Sequence, residues 1–112
     1  GLVGEALEYV NVHMTEDISV QDIADALNVS RYYLSHEFKK STGYGLWNYV
    51  ISKRLVYSQK LLAEGASVTE ACYESGFKDY AHFIKSFTKT FGCSPKQYGK
   101  SDDSIYMVKL NL

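Results

Sequence analysis

The chain has 112 residues, 46% of them hydrophobic and 14% aromatic, which supports one compact domain with a buried core and excludes a disordered chain. Its formal net charge of −1 does not indicate a polyanionic partner, and its two cysteines, Cys72 and Cys93, are too few for a disulfide scaffold and are expected as buried free thiols. No run approaches the ~20 apolar residues of a membrane span and no signal peptide is visible, so we expect a cytoplasmic protein without a membrane partner.

The first three predicted helices occupy the N-terminal part of the chain. Apolar residues recur at helical spacing over Val3–Met14, which predicts one amphipathic helix. Ser19 is expected to N-cap a second helix, with Asp22 three residues later in a carboxylate variant of the capping box. Ser30 is expected to cap a third helix, which the glycines that follow residue 42 bring to an end.

Four more helices are predicted in the remainder of the chain. A long connecting helix is expected over Leu46–Ala63 and a fifth helix over Val68–Ser75. Asp79 is expected to cap the sixth helix. The apolar stripe of that helix has a strict four-residue spacing: Phe83, Phe87 and Phe91. Pro95 precedes a short final helix around Gln97-Tyr98.

Two side chains of the long helix and the C-terminal segment carry separate expectations. Trp47 is expected in the core. Arg54 is expected to be buried and paired with an acidic residue such as Glu70 or Glu74. For residues 101–112 the sequence leaves a strand, a docked tail and disorder open.

The chain matches itself when it is shifted by 48 or 49 residues. Asp22-Ile23-Ala24 aligns with Glu70-Ala71-Cys72 at an offset of 48. Six later pairs align at an offset of 49: Ser30 with Asp79, Leu34 with Phe83, Phe38 with Phe87, Lys40 with Lys89, Gly43 with Gly92 and Tyr49 with Tyr98. Each copy has a helix, a tight turn, a capped helix and a glycine, with a small residue where the helices cross, as a helix-turn-helix requires. A helical solenoid is the other interpretation, but it needs about three repeats.

Signature residues stand at fixed places in both copies. In the first copy they are Ser19 to Ala24, Val29-Ser30, Tyr33-Leu34-Ser35, Phe38-Lys39-Lys40 and Thr42-Gly43. In the long helix they are Lys53-Arg54-Leu55. In the second copy they are Gly76-Phe77, Asp79-Tyr80, His82-Phe83, Phe87, Phe91-Gly92, Ser94-Pro95 and Tyr98. Over about residues 3–99 these residues resemble the DNA-binding domain of the AraC/XylS family of bacterial transcription regulators.

The resemblance implies an all-α, seven-helix domain made of two helix-turn-helix subdomains joined by a long linker helix. The expected parts are an N-terminal subdomain at residues 1–44, the linker helix at 45–64, a C-terminal subdomain at 65–100 and a tail at 101–112. A rigid linker would place the two recognition helices about 34 Å apart, which is one turn of DNA.

The resemblance also implies sequence-specific binding of double-stranded DNA for transcription regulation, as an activator or a repressor. The recognition helices, at about residues 30–42 and 79–91, are expected in successive major-groove segments. RNA polymerase is an expected partner, and an effector or dimerisation domain is expected elsewhere in a longer chain. Two departures from the family pattern, Thr88 and Gly99, remove basic residues that could anchor phosphates.

Candidate contact residues follow from the core positions. Leu34 and Phe38 are expected to face inward in the first recognition helix, and Phe83 and Phe87 in the second. The candidate base contacts lie on the outer faces near the helix starts: Tyr32, Ser35, His36, Tyr80, Ala81, Ile84 and Lys85. The candidate phosphate contacts are basic: Arg31, Lys39, Lys40, Lys78, Lys89 and Lys96. The resemblance matches four of these with the family's base-contacting positions: Tyr32, His36, Ala81 and Lys85.

Charge alternates along the chain. Residues 1–27 carry six acidic and no basic side chains, residues 28–60 carry six basic against one acidic, and residues 76–100 carry five basic against one acidic. The two basic blocks include the predicted recognition helices, which favours a cationic face, although ordinary mixed helix surfaces would also give this pattern. The alternative function is a helical protein–protein interaction module that does not bind DNA.

An enzyme is not expected. The sequence shows no Ser/His/Asp constellation, no glycine-rich phosphate loop and no paired-carboxylate motif. His13, His36 and His82 are scattered and, together with the two cysteines, lack zinc-ligand spacing. We therefore expect no catalytic residue, metal or cofactor.

Overall fold

The computed structural model describes residues 1–100, and of Lys100 it gives only its place in the last helix. This part of the chain forms helices connected by short turns, without a strand. The helices are α1 (Leu2–His13), α2 (Val20–Ala26), α3 (Arg31–Thr42), α4 (Leu46–Ala63), α5 (Val68–Glu74), α6 (Tyr80–Phe91) and α7 (Pro95–Lys100). Over residues 1–100, the predicted all-α fold with seven helices is confirmed. The alternatives left open for residues 101–112 lie outside the described residues.

Two compact units divide the chain inside α4, one over Gly1–Lys53 and the other from Arg54 onward. We call them unit 1 and unit 2. Each unit contains one predicted helix-turn-helix, α2–α3 in unit 1 and α5–α6 in unit 2. The finer division at residues 44 and 64 stays a prediction.

Unit 1 is built around α1, which packs against both α2 and α3. Its core contains these buried residues: Ala6, Val10, Ile18, Ile23, Ala24, Leu34, Phe38, Leu46 and Val50. The stripe predicted over Val3–Met14 faces this core, with Val10 buried and its other members packed at the margin. Ala6 completes the buried face of α1, because it lies four residues before Val10.

Unit 2 has an aromatic core, with α5 and α6 packed against α7. Ring centroids along α6 lie 5.8 Å apart for Phe83 and Phe87, and 4.6 Å apart for Phe87 and Phe91. The Tyr98 ring of α7 lies 5.9 Å from that of Phe87. Edge-on pairs such as these are among the arrangements that aromatic rings prefer, so α7 is held to α6 by aromatic packing.

The first helix of each helix-turn-helix begins with the same capping box. The Ser19 amide donates to Asp22 Oδ2 at 2.8 Å, and the Asp22 amide donates to Ser19 Oγ at 3.1 Å. The Ser67 amide donates to Glu70 Oε1 at 2.8 Å, and the Glu70 amide donates to Ser67 Oγ at 3.0 Å. The box predicted at Ser19 is confirmed, and the one at Ser67 was not foreseen although Ser67 and Glu70 have the required spacing.

Two side chains of the long helix α4, Trp47 and Arg54, were predicted to be buried. Trp47 is 37% exposed and does not belong to the core, so that prediction was wrong. Leu46 and Val50 occupy the inward face, and Trp47 is turned about 100° around the helix from Leu46. Arg54 is buried as expected, and its acidic partner stays a prediction.

Within residues 1–100, every helix is too short or too polar to span a lipid bilayer.

Candidate nucleic-acid interface

The turn inside each helix-turn-helix has the same backbone geometry. Asn28 has φ 57° and Gly76 has φ 105°, so the chain enters the left-handed region at the same place in both copies. The next amide then donates back to the small residue of the preceding helix: Val29 to the Ala24 carbonyl at 3.1 Å, and Phe77 to the Cys72 carbonyl at 3.2 Å. These hydrogen bonds fix the angle at which the second helix leaves the turn.

A small side chain is buried at the crossing of the two helices. Ala24 in unit 1 and Cys72 in unit 2 are both fully buried. Burial raises the pKa of the Cys72 thiol, and the negative charge of Asp79 acts in the same direction. The thiol therefore stays protonated near neutral pH, which suits a packing residue and not a nucleophile. Cys93 is also buried, and both cysteines are free thiols as predicted.

The recognition helix of unit 1 is α3. Ser30 caps it by accepting a hydrogen bond from the Tyr33 amide at 3.1 Å, and Gly43 ends it with φ 82°. Leu34 and Phe38 are fully buried, as the sequence predicted. This orientation turns the opposite face of α3 toward solvent.

That outer face of α3 forms a surface concavity of about 450 Å³. Four predicted contact residues line it: Ser35, His36, Lys39 and Lys40. The structure therefore brings together two candidate base contacts and two candidate phosphate contacts on adjacent turns of one helix. Two of the lining residues are lysines, and an imidazole N–H can donate a hydrogen bond to a partner there.

Arg31 and Tyr32 form a pair at the start of α3. The Arg31 guanidinium carbon lies 5.2 Å from the centroid of the Tyr32 ring. Arg31 Nη2 also donates a hydrogen bond to Tyr32 Oη at 3.3 Å. The Tyr32 side chain is nevertheless 77% exposed, so the pair projects into solvent. Their contact was not predicted from the sequence.

The recognition helix of unit 2 is α6. Asp79 caps it by accepting from the His82 amide at 3.0 Å, and Gly92 ends it with φ 77°. Phe83 and Phe87 are fully buried. Among the predicted base contacts of this helix, Ala81 and Lys85 are exposed, Tyr80 is 41% exposed, and Ile84 is half-buried. Ile84 thus lies at the margin between the outer face and the core.

The remaining predicted phosphate contacts of unit 2 lie on three different elements. Lys78 is in the turn before α6, Lys89 is in the last turn of α6, and Lys96 is in α7. All three side chains are exposed. No cluster of three or more metal-ligating side chains occurs among residues 1–100.

Two exposed aromatic side chains, one in α3 and one just after it, were not predicted from the sequence. Tyr33 is 54% exposed and Tyr44, which follows the Gly43 cap, is 69% exposed. The helical period could have predicted the exposure of Tyr33. This residue lies one position from the inward-facing Leu34 and is therefore turned away from the core. Both rings add apolar surface near the basic residues of α3.

A family model described as a helix-turn-helix domain matches residues 23–101. The chain belongs to the AraC/XylS family. This family consists of DNA-binding transcription regulators and not of enzymes, which confirms the predicted class of function. The match begins inside α2, so it includes most of the first helix-turn-helix copy and all of the second copy of the AraC-type domain.

Known proteins similar to this AraC-type domain include regulators and solved domains. Regulatory protein PocR of Salmonella typhimurium is 32% identical over 95 residues, which cover 84% of this chain and 31% of that protein. The C-terminal domain of AraT, a response regulator from Geobacillus stearothermophilus, is 27% identical with a TM-score of 0.85, covering 90% of this chain and 85% of that chain. The DNA-binding domain of AdpA, solved in complex with a target DNA, shares the fold with a TM-score of 0.81 at 24% identity, covering 96% of this chain and 94% of that one. The chain spans about a third of the length of PocR.

Proposed function

We propose that this AraC-type domain reads double-stranded DNA with α3 and α6, each in its own major-groove segment. The observation that carries the proposal is the duplication of one backbone arrangement. In both copies a serine capping box begins the first helix, a residue with positive φ forms the turn, and a glycine ends the second helix. In each copy two buried aromatic or aliphatic side chains fix the helix rotation, and the outer face remains accessible. A helix presented in this way fits the major groove.

The base contacts proposed for unit 1 are Tyr32, Ser35 and His36. A serine hydroxyl and an imidazole can each bond base edges, and a tyrosine ring can pack on a thymine methyl. The exposure of Tyr32 and the concavity that holds Ser35 and His36 support these roles.

The base contacts proposed for unit 2 are Tyr80, Ala81, Ile84 and Lys85. Lys85 is the candidate for guanine O6 and N7, since an exposed ammonium donates to both acceptors. The other three offer apolar contact to thymine methyls, and Ile84, which is half-buried, has the lowest fractional exposure of them.

Phosphate contacts are proposed for six basic residues: Arg31, Lys39, Lys40, Lys78, Lys89 and Lys96. All six are exposed. Such contacts position the protein on the duplex and carry little sequence information. They also make binding sensitive to salt, because each neutralised phosphate releases counterions.

In the longer protein we propose an effector or dimerisation domain outside this chain, contact with RNA polymerase, activation of transcription and a cytoplasmic location. PocR, of which this chain spans about a third, supports the presence of further domains.

The deciding experiment selects bound duplexes from a random pool with the full 112-residue chain and then titrates the selected duplex at several salt concentrations. Contact with ~5–8 phosphates predicts a slope of log affinity against log salt of roughly −5 to −7. We expect two short conserved segments in the selected duplexes, about one helical turn apart. No enrichment and a flat salt response would contradict DNA binding and favour the protein–protein interaction module.

A further inference from the structure

The Arg31–Tyr32 pair is the feature of the recognition surface that phosphate attraction alone does not explain. An arginine that serves only the DNA backbone needs no internal partner. Here the guanidinium carbon lies 5.2 Å from the Tyr32 ring centroid, and Nη2 bonds to the phenol oxygen at 3.3 Å. Both contacts hold one side of a ring that is otherwise 77% exposed.

The physical effect of such a contact is to restrict the ring before it meets a partner. An exposed tyrosine samples several rotamers, and ordering a side chain at an interface costs conformational entropy. A planar, weakly hydrated guanidinium stacks on an aromatic ring and can also donate to its hydroxyl, which an ammonium on a flexible stem does poorly. Arg31 and Tyr32 are the first two residues of α3, the end of a recognition helix that meets base edges.

We propose that Arg31 is a positioning residue that holds the Tyr32 ring in the orientation in which it meets a base. The inference rests on the proposed function of α3 and revises the role of Arg31 from a phosphate anchor to a determinant of sequence preference. Arg31 acts through Tyr32 and does not itself read the base.

The second copy provides an internal contrast. At the offset of 49 residues, Tyr80 takes the place of Arg31 and Ala81 takes the place of Tyr32. The first turn of α6 therefore has no guanidinium at the position equivalent to Arg31 and no ring at the position equivalent to Tyr32. The positioning effect is confined to the base position read by the start of α3.

A double-mutant cycle on the full chain tests the proposal, with the variants Arg31→Lys, Tyr32→Ala and the two combined. Affinity is measured on the selected duplex and on duplexes altered at each base of the unit 1 segment. Arg31→Lys keeps the charge, so a pure phosphate contact would change little. We expect about twofold to fivefold weaker binding to the selected duplex and a weakened preference at the same base position that Tyr32→Ala affects.

In the Tyr32→Ala background, Arg31→Lys should cause no further loss, because the ring on which it acts is gone. The salt slope of Arg31→Lys should match that of the unaltered chain. Lys39→Ala is the charge control: it should weaken binding to all duplexes alike and reduce the salt slope by about one. Arg31 and Tyr32 are exposed, and thermal unfolding of each variant verifies that the fold is retained.

The proposal is overturned if the losses from Arg31→Lys and Tyr32→Ala are additive, or if Arg31→Lys leaves base preference intact. It would also fail if the loss from Arg31→Lys were uniform over all duplexes. If the unaltered chain selects no sequence, the proposed function itself fails, and this outcome is distinguishable because it precedes any comparison of variants.

Discussion

The two helix-turn-helix copies share a backbone frame and differ on their outer faces. Both begin with a capping box, turn through a left-handed residue and end the recognition helix at a glycine with positive φ. The outward positions differ instead: Tyr32 corresponds to Ala81, Ser35 to Ile84, and His36 to Lys85. The buried and backbone-restricted positions keep their chemistry because the fold depends on them, whereas the exposed positions can diverge to meet different bases.

The frame itself differs in one place, the turn before the recognition helix. Unit 2 has one extra residue there, Lys78, between Phe77 and the cap. The Phe77 ring packs 5.1 Å from that of Phe83 and meets the His82 ring edge-on at 5.7 Å. Its counterpart Val29 is smaller and only partly buried. Unit 1 has instead an additional helix, α1, packed against α2 and α3.

The largest expected effect is a loss of stability on alanine substitution in either core. It tests whether the two cores contribute equally to the free energy of unfolding. Phe38 and Phe87 are both fully buried, and each packs against a tyrosine, Tyr49 at 5.7 Å and Tyr98 at 5.9 Å. Replacing either phenylalanine with alanine should lower the free energy of unfolding by about 3–5 kcal/mol, measured by urea denaturation. Phe→Leu at the same positions is the control and should cost less. A loss below about 1 kcal/mol at only one of the two sites would break the equivalence.

The next effect concerns the outer faces. His36→Ala and Lys85→Ala alter equivalent positions of the two recognition helices. Each should weaken binding to the selected duplex by about 1–3 kcal/mol and relax preference at one base position, measured by competition with altered duplexes. The two positions should lie in different segments of the site. If both variants relax the same base pair, the assignment of one helix to each segment is wrong.

Substitutions in the turn should change stability less, and should act differently in the two copies. Gly76 has φ 105°, so Gly76→Ala should cost about 1–2 kcal/mol of unfolding free energy. Asn28→Gly should be neutral or slightly stabilising, because glycine adopts φ 57° without strain. Gly4→Ala is the matched control: Gly4 lies inside α1 with open space around a Cβ, and the change should stabilise by about 0.5–1 kcal/mol. Thermal unfolding compares the three variants, and a Gly76→Ala chain as stable as the unaltered one would contradict the strained turn.

The smallest effect sharpens the comparison of the capping boxes. Ser19→Ala and Ser67→Ala should each cost about 1 kcal/mol of stability, because each removes the acceptor for an amide at the start of a helix. Ser67→Thr retains the hydroxyl and should cost less. Equal stability of the alanine variants and the unaltered chain in urea denaturation would show that the boxes do not stabilise their helices.

Glu70 makes the stability of the Ser67 capping box depend on pH. The Ser67 amide, and after it the Ser67 hydroxyl, hold the pKa of Glu70 below its ordinary value of 4.5. A lowered folded-state pKa stabilises the fold above the ordinary pKa, and this contribution is lost as pH falls through the folded-state value. Ser67→Ala keeps the amide, so NMR titration should show the pKa of Glu70 rising only part of the way. An unchanged pKa would contradict the role of the hydroxyl.

The sequence was sufficient for most features that depend on burial and capping, with the capping box at Ser67 and the exposure of Trp47 as exceptions. Helical spacing located the seven helices, and the inward orientation of Leu34 and Phe83 followed from their four-residue spacing to the next core residue. Trp47 was misplaced because hydrophobicity alone does not tell which of two adjacent apolar residues faces inward. The contact of Arg31 with Tyr32 could not be predicted, since it depends on two side-chain rotamers at an exposed helix start.

The placement of the two thiols has a practical consequence. Cys72 and Cys93 are both buried, and both lie in the second half of the chain. In the first half, the position equivalent to Cys72 is an alanine, Ala24. An alkylating reagent attacks a thiolate that it can reach, so labelling must wait for local opening. The rate of labelling, followed by mass spectrometry, would report how often α5 and the segment before α7 open, without any engineered probe.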